Sequence, residues 1–434
     1  MNAATFKNTA WLGEFPSHWQ VLRIKNLFQE MENRSDTGSE ELLSVSYYTG
    51  VTLKRESLEN EDDHITNAAS LIGYKIVKKG DLIINIMGAW NGRLGISPYD
   101  GITSPAYCVY RIKGENNPEY FGYLFTTNLF ISEFRKNSTG IGSGFLRLYS
   151  DKFFSIFSVV PPKDEQDEIV EYIKTQDHKI NLFIQKKQRF IELLQEQRRG
   201  VINRAITIGV TNDVQLVGTN WLNNLPNHWK KGRLKNFAKI KGRIGFRGYT
   251  TSDLVDSGEG AITLGATHIN KLGIINLLNP VFISWEKYFE SPEIMVSKGD
   301  IIIVQRGSTC GKCGLVQEDF GKMTINPSVV LVKDLKINNE FLNFFLQGDL
   351  IRDNINQYVS NTAIPMLSQF QIGNFPIFCP PNEEQKQIIQ HIKTETATID
   401  TAMAKAEREI ELIKEYKEAM ISEAVMGKLN YDQN

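Results

Sequence analysis

The sequence contains no apolar run approaching the ~20 uninterrupted residues that a membrane-spanning helix requires. The first residues, MNAATFKNTAWLGEF, have no basic segment before an apolar stretch, so we expect no secretory signal peptide. Cysteine is scarce, and four thiols spread over 434 residues do not make a disulfide framework. These absences indicate a protein of the reducing cytoplasm with no membrane partner.

An excess of one charge sign is also lacking, since the formal net charge is only −1. A protein that binds DNA alone usually carries a basic excess, because cationic side chains neutralise phosphates and release counterions. The charge balance therefore argues against a free-standing DNA binder, but it permits a DNA reader whose partners supply part of the affinity. The length of 434 residues exceeds that of one ordinary core and predicts two or more domains.

The chain carries an internal duplication of three sequence blocks in the same order. The blocks are WLGEFPSHWQVLRIKNLF from Trp11, repeated as WLNNLPNHWKKGRLKNFA from Trp221; KKGDLIINIMGAWNGRLG from Lys78, repeated as SKGDIIIVQRGSTCGKCG from Ser297; and PPKDEQDEIVEYIKT from Pro161, repeated as PPNEEQKQIIQHIKT from Pro380. A unit of roughly 200 residues is therefore present twice in tandem.

Each copy predicts a mixed α and β domain (class α+β) followed by a long helix. The K-G-D sequences at Lys79 and Lys298 indicate a turn before a β-branched strand. Residues 121–134 and 340–355 have the pattern of amphipathic helices that pack on such a domain. The predicted boundaries are 1–160 for the first domain, 161–210 for its helix, 211–379 for the second domain and 380–434 for its helix.

The two long helices have the pattern of a coiled coil. Each follows a Pro-Pro pair, and Asp164 is a suitable N-cap for the first helix. The apolar seam is Ile169, Ile173, Ile180, Phe183, Phe190, Leu194 and Val201 with polar Gln176, Lys187 and Gln197 in the first helix, and Ile388, Ile392, Ile399, Ala402, Ala406, Ile413, Tyr416 and Met420 in the second. A helix of ~40 residues is ~60 Å long. Ordinary core packing is the alternative, but two long duplicated helices favour an antiparallel pair with pseudo-two-fold symmetry.

The layout resembles the specificity subunits of type I restriction–modification enzymes. The resemblance rests on W-x4-P-x-H-W at the head of each half, K-G-D before three apolar residues, P-P-x2-E-Q before each long helix, and the helix-ending sequences from Arg204 and Glu423. It implies two target recognition domains that each read one half of a split DNA site, with the helices as a ruler for the gap. It further implies a non-catalytic chain of the bacterial or archaeal cytoplasm, held near the nucleoid through DNA.

The same resemblance implies the partners. These are double-stranded DNA, two methyltransferase subunits that carry S-adenosylmethionine, and restriction or translocase subunits, while this chain itself holds no cofactor and no metal. The alternatives are a methyltransferase or nuclease in its own right and a coiled-coil scaffold without a DNA role.

Candidate DNA contacts lie in segments that combine basic, aromatic and glycine residues, because arginine can read guanine and cations can hold phosphates. The candidates are Ser46, Tyr47, Tyr48 and Arg55; Asn91 and Arg93 in the turn from Gly88; Arg147 beyond the glycine-rich segment 139–145; Lys241, Arg243, Arg247 and Tyr249; and Arg306, Ser308 and Lys312 in the turn around Gly307. The alternatives are a solvated basic loop for 239–249, strand tyrosines at 47 and 48, and structural turns at 88–95 and 307–314.

Several motifs that suggest chemistry fail on inspection. The turn from Gly307 to Gly314 has the wrong spacing for a phosphate-binding loop and has Cys313 where Ser or Thr is needed. Cys310 and Cys313 lack a second ligand pair at zinc spacing. The glycine-rich segment 139–145 follows a helical pattern and no Asn/Asp-Pro-Pro-aromatic motif occurs, which disfavours a methyl-donor site. We interpret His18 and His228, in matched Pro-x-His-Trp contexts, as structural.

Overall fold

The computed structural model describes residues 9–47, 49–54, 70–140, 146–210, 215–218, 224–245, 248–270, 272–359 and 364–429. The chain divides into two compact units. The first unit comprises Met1–Gln188 and Glu407–Asn434, and the second comprises Arg189–Ala406. Both unit boundaries fall inside the long helices, so each unit contains one domain together with part of each helix.

The first unit contains ten described strands and four short helices before its long helix. The strands are β1 (Gln20–Arg23), β2 (Phe28–Glu30), β3 (Leu43–Ser46), β4 (Gly50–Leu53), β5 (Lys75–Val77), β6 (Leu82–Asn85), β7 (Leu94–Ile96), β8 (Gly101–Thr103), β9 (Tyr107–Ile112) and β10 (Phe157–Val160). The short helices are α1 (Ile24–Leu27), α2 (Pro118–Phe125), α3 (Asn128–Asn137) and α4 (Ser150–Ser155).

The central sheet of the first unit has the order β2-β9-β6-β7 and is antiparallel. All four residues of β6 are buried, as expected for a β-branched strand in the middle of a core. The K-G-D turn precedes it, with Gly80 at φ 91°. The carboxylate of Asp81 accepts the backbone N–H of Lys78 at 2.8 Å and pairs with Arg111 through two 2.8 Å bonds. The motif therefore forms a fixed turn immediately before the central strand. The pairing with Asp81 raises the pKa of the Arg111 guanidinium.

An aromatic cluster fills the space between this sheet and its helices. Its fully buried members are Phe28, Tyr110, Tyr120, Phe121, Phe125, Phe130, Phe134 and Phe153. The helix predicted over 121–134 is broken into α2 and α3, because Thr127 caps the second helix by accepting the backbone N–H of Phe130. The prediction of a single helix was wrong, and the break lets two short helices cover the sheet from different directions.

The second unit repeats the layout with more strands. They are β11 (Leu216–Val217), β12 (Leu225–Pro226), β13 (Lys230–Arg233), β14 (Lys239–Gly242), β15 (Leu254–Val255), β16 (Gly260–Leu264), β17 (Phe282–Ser284), β18 (Ile301–Val304), β19 (Cys313–Leu315), β20 (Met323–Ile325), β21 (Val329–Lys333) and β22 (Pro376–Cys379). The first long helix is α5 (Lys163–Ile208), and the others are α6 (Leu234–Phe237), α7 (Trp285–Phe289), α8 (Asn339–Gln347), α9 (Asp349–Val359), α10 (Gln369–Gly373) and α11 (Asn382–Val425).

One sheet has an equivalent strand order in the two domains, and a second sheet differs between them. The order β14-β21-β18-β19 in the second unit matches β2-β9-β6-β7 in the first, and β13 pairs with β22 as β1 pairs with β10. Among the residues that the structure describes, the second unit has the four-stranded sheet β15-β17-β16-β20, where the first has the pairs β3-β4 and β5-β8. The helix predicted over 340–355 is again two helices, α8 and α9, separated at Gly348. The shared sheet arises from the duplicated blocks, and the divergent segments build the rest.

Both long helices start where the Pro-Pro pairs predict. The helix α5 spans 46 residues and α11 spans 44, and the first backbone bonds run from Gln166 to Pro162 and from Gln385 to Pro381. Because α5 begins at Lys163, Asp164 lies inside its first turn and is not the N-cap. The helix continues through Gly200, which is exposed and where an added Cβ would meet no atom within 4 Å.

The helices run antiparallel within each unit. In the first unit, Asp177 pairs with Lys417, and Lys187 pairs with Glu409 at 2.5 Å, so the partner number falls as the helix number rises. In the second unit Arg198 pairs with Asp400 at 2.8 Å. Such ion pairs flank a coiled-coil seam and help to select its partner and register.

The buried seam differs from the predicted one, most clearly at three aromatic positions. Phe183, Phe190 and Tyr416 are 37%, 44% and 53% exposed, so their assignment to the seam was wrong. The buried seam positions in the middle of the helices are Ile180, Ile191, Ile202, Ile399, Met403, Ala406 and Met420. A one-residue shift around the helix is about 100°, which is enough to exchange a buried position for an exposed one.

This register makes a prediction about two adjacent residues. Ile191→Ala should lower the free energy of unfolding by about 2 kcal/mol, because it removes a buried side chain that is 9% exposed. Phe190→Ala should lower it by less than Ile191→Ala does, since Phe190 is 44% exposed. Urea unfolding of both variants tests the register. A larger loss of unfolding free energy for Phe190→Ala would support the seam predicted from the sequence.

Candidate nucleic-acid interface

The end of β6 gathers several of the predicted contacts in the first unit. Arg93 is exposed, and its stem lies against Gly88, where an added Cβ would come within 2.5 Å of it. Tyr47, which is 54% exposed, lies against Gly92 in the same turn. The backbone N–H of Leu148 donates to the carbonyl of Ile86 at 2.9 Å, which brings the exposed Arg147 to this end of the sheet.

Other candidates in this region are less accessible. Ser46 ends β3 and is half-buried. Asn91 is half-buried in the turn, and its Oδ1 has no hydrogen-bond partner among the residues that the structure describes. Sequence reasoning missed Arg135, whose guanidinium lies 5.7 Å from the ring centre of Trp90. The tryptophan in the duplicated turn, where the second half has threonine, was the available signal.

The second unit builds the same edge at the end of β18. The backbone N–H of Leu367 donates to the carbonyl of Gln305 at 2.8 Å, and that of Gly307 donates to Pro365 at 3.0 Å. Arg306 and Ser308 are exposed in this turn. Large exposed apolar side chains lie on the paired segment and on α10, namely Ile364, Met366 and Phe370. The two edges therefore have matching backbones and different side chains.

Arg243 is a correction to the predicted contacts. It is buried, and its Nε and Nη2 donate to the carbonyl of Ile325 and to Thr324 Oγ1, each at 3.2 Å. Its guanidinium lies 5.3 Å from the ring centre of Tyr249, whose hydroxyl is 3.1 Å from Thr263 Oγ1. Burial lowers the pKa of Arg243. Both residues therefore contact the sheet of β16 and β20, and the burial of Arg243 disfavours a contact with a DNA base.

The remaining candidates fall into three groups. Lys241 is exposed on β14 and stays a predicted DNA contact. Tyr48, Arg55 and Arg247 lie outside the described residues. Lys312 is half-buried, and its Nζ donates to the carbonyl of Ile269 at 2.6 Å.

Lys312 also lines a cavity of about 610 Å³ in the second unit. Arg198, Arg199 and Arg352 line it as well, and the described lining residues include no Asp or Glu. Arg198 and Arg352 are paired with Asp400 and Asp349 outside the lining. The cavity is consequently a basic concavity between the domain and the part of α5 that belongs to the same unit.

Metal and thiol chemistry find little support in the described part of the chain. It contains no cluster of three or more His, Cys, Asp or Glu residues placed to hold a metal ion. Burial raises the pKa of Cys313 to about 12 and also raises that of Cys310, so both remain thiols at neutral pH. Nor does any helix within the described ranges combine the length and apolarity needed to cross a bilayer.

The chain is similar to known proteins across most of its length. A family model described as the type I restriction modification DNA specificity domain matches residues 16–193 and again 226–412. The type I restriction enzyme MjaVIII specificity subunit of Methanocaldococcus jannaschii is 22% identical over 425 residues, covering 95% of this chain and 93% of that protein.

One solved structure shows the fold likeness. A chain described under "Structural basis underlying complex assembly and conformational transition of the type I R-M system" aligns with a TM-score of 0.64 and 16% identity, covering 96% of this chain and all of the other. The HsdS subunit from Thermoanaerobacter tengcongensis aligns with a TM-score of 0.45 and 17% identity, over 96% and 98% of the two chains. The resemblance read from the duplicated blocks and the predicted fold class of two tandem mixed domains with long helices are confirmed. Because the family model matches twice and covers most of the residues, the chain belongs to the family of type I restriction–modification DNA specificity subunits.

Proposed function

We propose that each domain reads one half of a bipartite, asymmetric DNA site and that the chain performs no chemistry itself. The observation that carries this proposal is the pair of matching edges at β6 and β18, which present different side chains on the same backbone framework. Arg93 and Arg147 project at the first edge, and Arg306 and Ser308 at the second. Different side chains in equivalent positions hydrogen-bond to different base edges, so the two half-sites should differ.

The long helices set the unspecific gap between the half-sites. They are the elements shared by both units, and each is packed against its antiparallel neighbour by a buried seam and by ion pairs. A rigid spacer between two readers fixes half-site separation, as the dimer geometry does in two-fold DNA binders.

The catalytic chemistry belongs to partner subunits. Two methyltransferase subunits would supply S-adenosylmethionine, and restriction subunits would cut and translocate. The formal charge of −1 supports this division, since a DNA reader without a basic excess benefits from partners that contact phosphates. The basic cavity and the exposed arginines provide this chain's own share of cationic contacts.

A reconstitution experiment tests the proposal. The purified chain alone should transfer no labelled methyl group to DNA and should cut none. Addition of the methyltransferase subunits should produce methylation at one two-part motif. Methyl transfer by the chain alone would support the enzyme alternative. Full activity of the partners at the same motif without this chain would support the scaffold alternative, and either result would overturn the proposal.

A further inference from the structure

The duplicated Trp and Glu residues form the same contact in both units. In the first unit, Trp19 Nε1 donates to Glu165 Oε2 at 2.8 Å, and His18 Nε2 lies 2.7 Å from Glu165 Oε1. In the second, Trp229 Nε1 donates to Glu384 Oε1 at 3.0 Å, and His228 Nε2 lies 2.7 Å from Glu384 Oε2. The carboxylates stand in the first turn of a long helix, and the tryptophans stand at the head of a domain. Each contact joins a domain to the start of its own following helix, and we call it the head clamp.

The tryptophans make the head clamp rigid. Trp19 and Trp229 are 5% and 2% exposed. Their rings pack edge-on against Tyr120 at 6.5 Å and against Phe341 at 6.4 Å. The histidines remain solvent-exposed. A buried indole N–H that loses its acceptor is left unsatisfied, so the carboxylate is the element that the clamp depends on.

The end of the other long helix closes each clamp within the same unit. Gly427 follows α11 at φ 68°, and a Cβ there would come within 2.6 Å of Pro16 and 2.8 Å of Trp19. Gly209 follows α5 at φ 81°, and a Cβ there would lie 3.1 Å from Glu384 Oε1. Glycine at both positions lets the helix end approach the clamp. Three elements therefore meet at each head clamp, namely a domain head, one helix start and one helix end.

The neighbouring glutamine secures a second point on the same helix start. Gln166 and Gln385 are each 1% exposed. Their Nε2 atoms donate to the carbonyls of Pro161 and Pro380, and their Oε1 atoms accept the backbone N–H groups of Asn117 and Asn338. The E-Q pair thus holds the domain at two separate places, which restricts rotation of the domain about the helix.

From this geometry we infer that Glu165 and Glu384 are positioning residues that hold the unspecific gap to a single length. The inference rests on the proposed function, because a gap exists only if the two domains read DNA. A domain held at two points by its helix keeps one orientation on it. Without the carboxylate the orientation spreads over several states, and half-sites at neighbouring spacings become accessible to the complex.

The test uses the full chain assembled with its methyltransferase subunits and a pool of DNA substrates whose gaps differ by one base pair. The unaltered chain should methylate one gap length. Glu165→Ala and Glu384→Ala should raise methylation at the two neighbouring gaps by about tenfold relative to the central one, while both half-sites stay the same. Glu165→Gln should restore a single gap, because its amide oxygen can still accept the Trp19 N–H. Glu168→Ala, an exposed carboxylate on the same helix, is the matched control and should behave like the unaltered chain.

Trp19→Phe and Trp229→Phe provide a second route if the alanine variants do not assemble. Phenylalanine keeps most of the ring packing and removes only the N–H donor, so the gap should broaden in the same way. Active alanine or phenylalanine variants that keep a single gap length would overturn the inference. Failure of the proposed function looks different, since the unaltered chain itself would then show no two-part motif.

Discussion

A chain in which residues 16–160 replace residues 226–379 is expected to direct methylation to two inverted copies of the first half-site. The exchange begins at equivalent prolines of the head block, Pro16 and Pro226. It ends just before the equivalent Pro-Pro pairs. Trp19 of the grafted domain would meet Glu384, which is chemically identical to its usual partner Glu165. The head clamp and the shared sheet are therefore preserved while every divergent residue of the second domain is replaced.

The expected loss at the original site is large. Each mismatched base pair costs about 1–3 kcal/mol of binding free energy. The affinity for a half-site with three mismatches should therefore fall at least ~100-fold. Single-molecule sequencing of methylated DNA from cells that carry the complete system measures this outcome. The reciprocal chain, with two copies of the second domain, is the control and should read the second half-site twice. A graft that changed both half-sites, or neither, would show that the domains do not read independently.

The sequence predicted the elements that are fixed by local chemistry. The Pro-Pro pairs located both helix starts to within two residues, and the K-G-D blocks located the buried strands β6 and β18. Glycine at positive φ and a turn-capping aspartate act within a few residues of the chain, so their signals are visible in one sequence. The duplication then supplied each signal twice.

The incorrect predictions concern residues whose burial or contacts depend on residues far away in the sequence. Phe190 and Ile191 are both apolar and adjacent, and only packing against the partner helix determines which of them is buried. Arg243 stands in a basic and aromatic segment, yet β20 satisfies its guanidinium from a distant part of the chain. The E-Q pair was recognised as a repeated motif without a role, because its role depends on residues from the domain head and the other helix end.

A second large effect is expected from lengthening both helices together. Insertion of four helical residues after Gln188 and another four after Ala406 leaves the internal contacts of both units unchanged, since these are the unit boundaries. Each insertion adds about 6 Å at ~1.5 Å per residue, and DNA advances ~3.4 Å per base pair. The axial change therefore corresponds to one or two additional base pairs.

The rotation that accompanies this insertion is compatible with the same lengthening of the gap. Four residues turn an α-helix by about 40° beyond one full turn. One base pair turns B-DNA by about 34°, since ~10.5 base pairs make a turn. Two inserted residues would instead turn the seam by about 200° and expose Ile191 and Met403 on one side of the junction, so assembly should fail. The two-residue chain is the matched control for the disturbance that insertion itself causes.

The length of the gap in the methylated motif of the four-residue chain is the measurement that tests the account most directly. Cells that express this chain with its methyltransferase subunits should methylate the same two half-sites as the unaltered chain, separated by one or two more base pairs. The two-residue chain should leave the DNA unmethylated. An active four-residue chain whose motif keeps the original gap would contradict the claim that the long helices set the spacing.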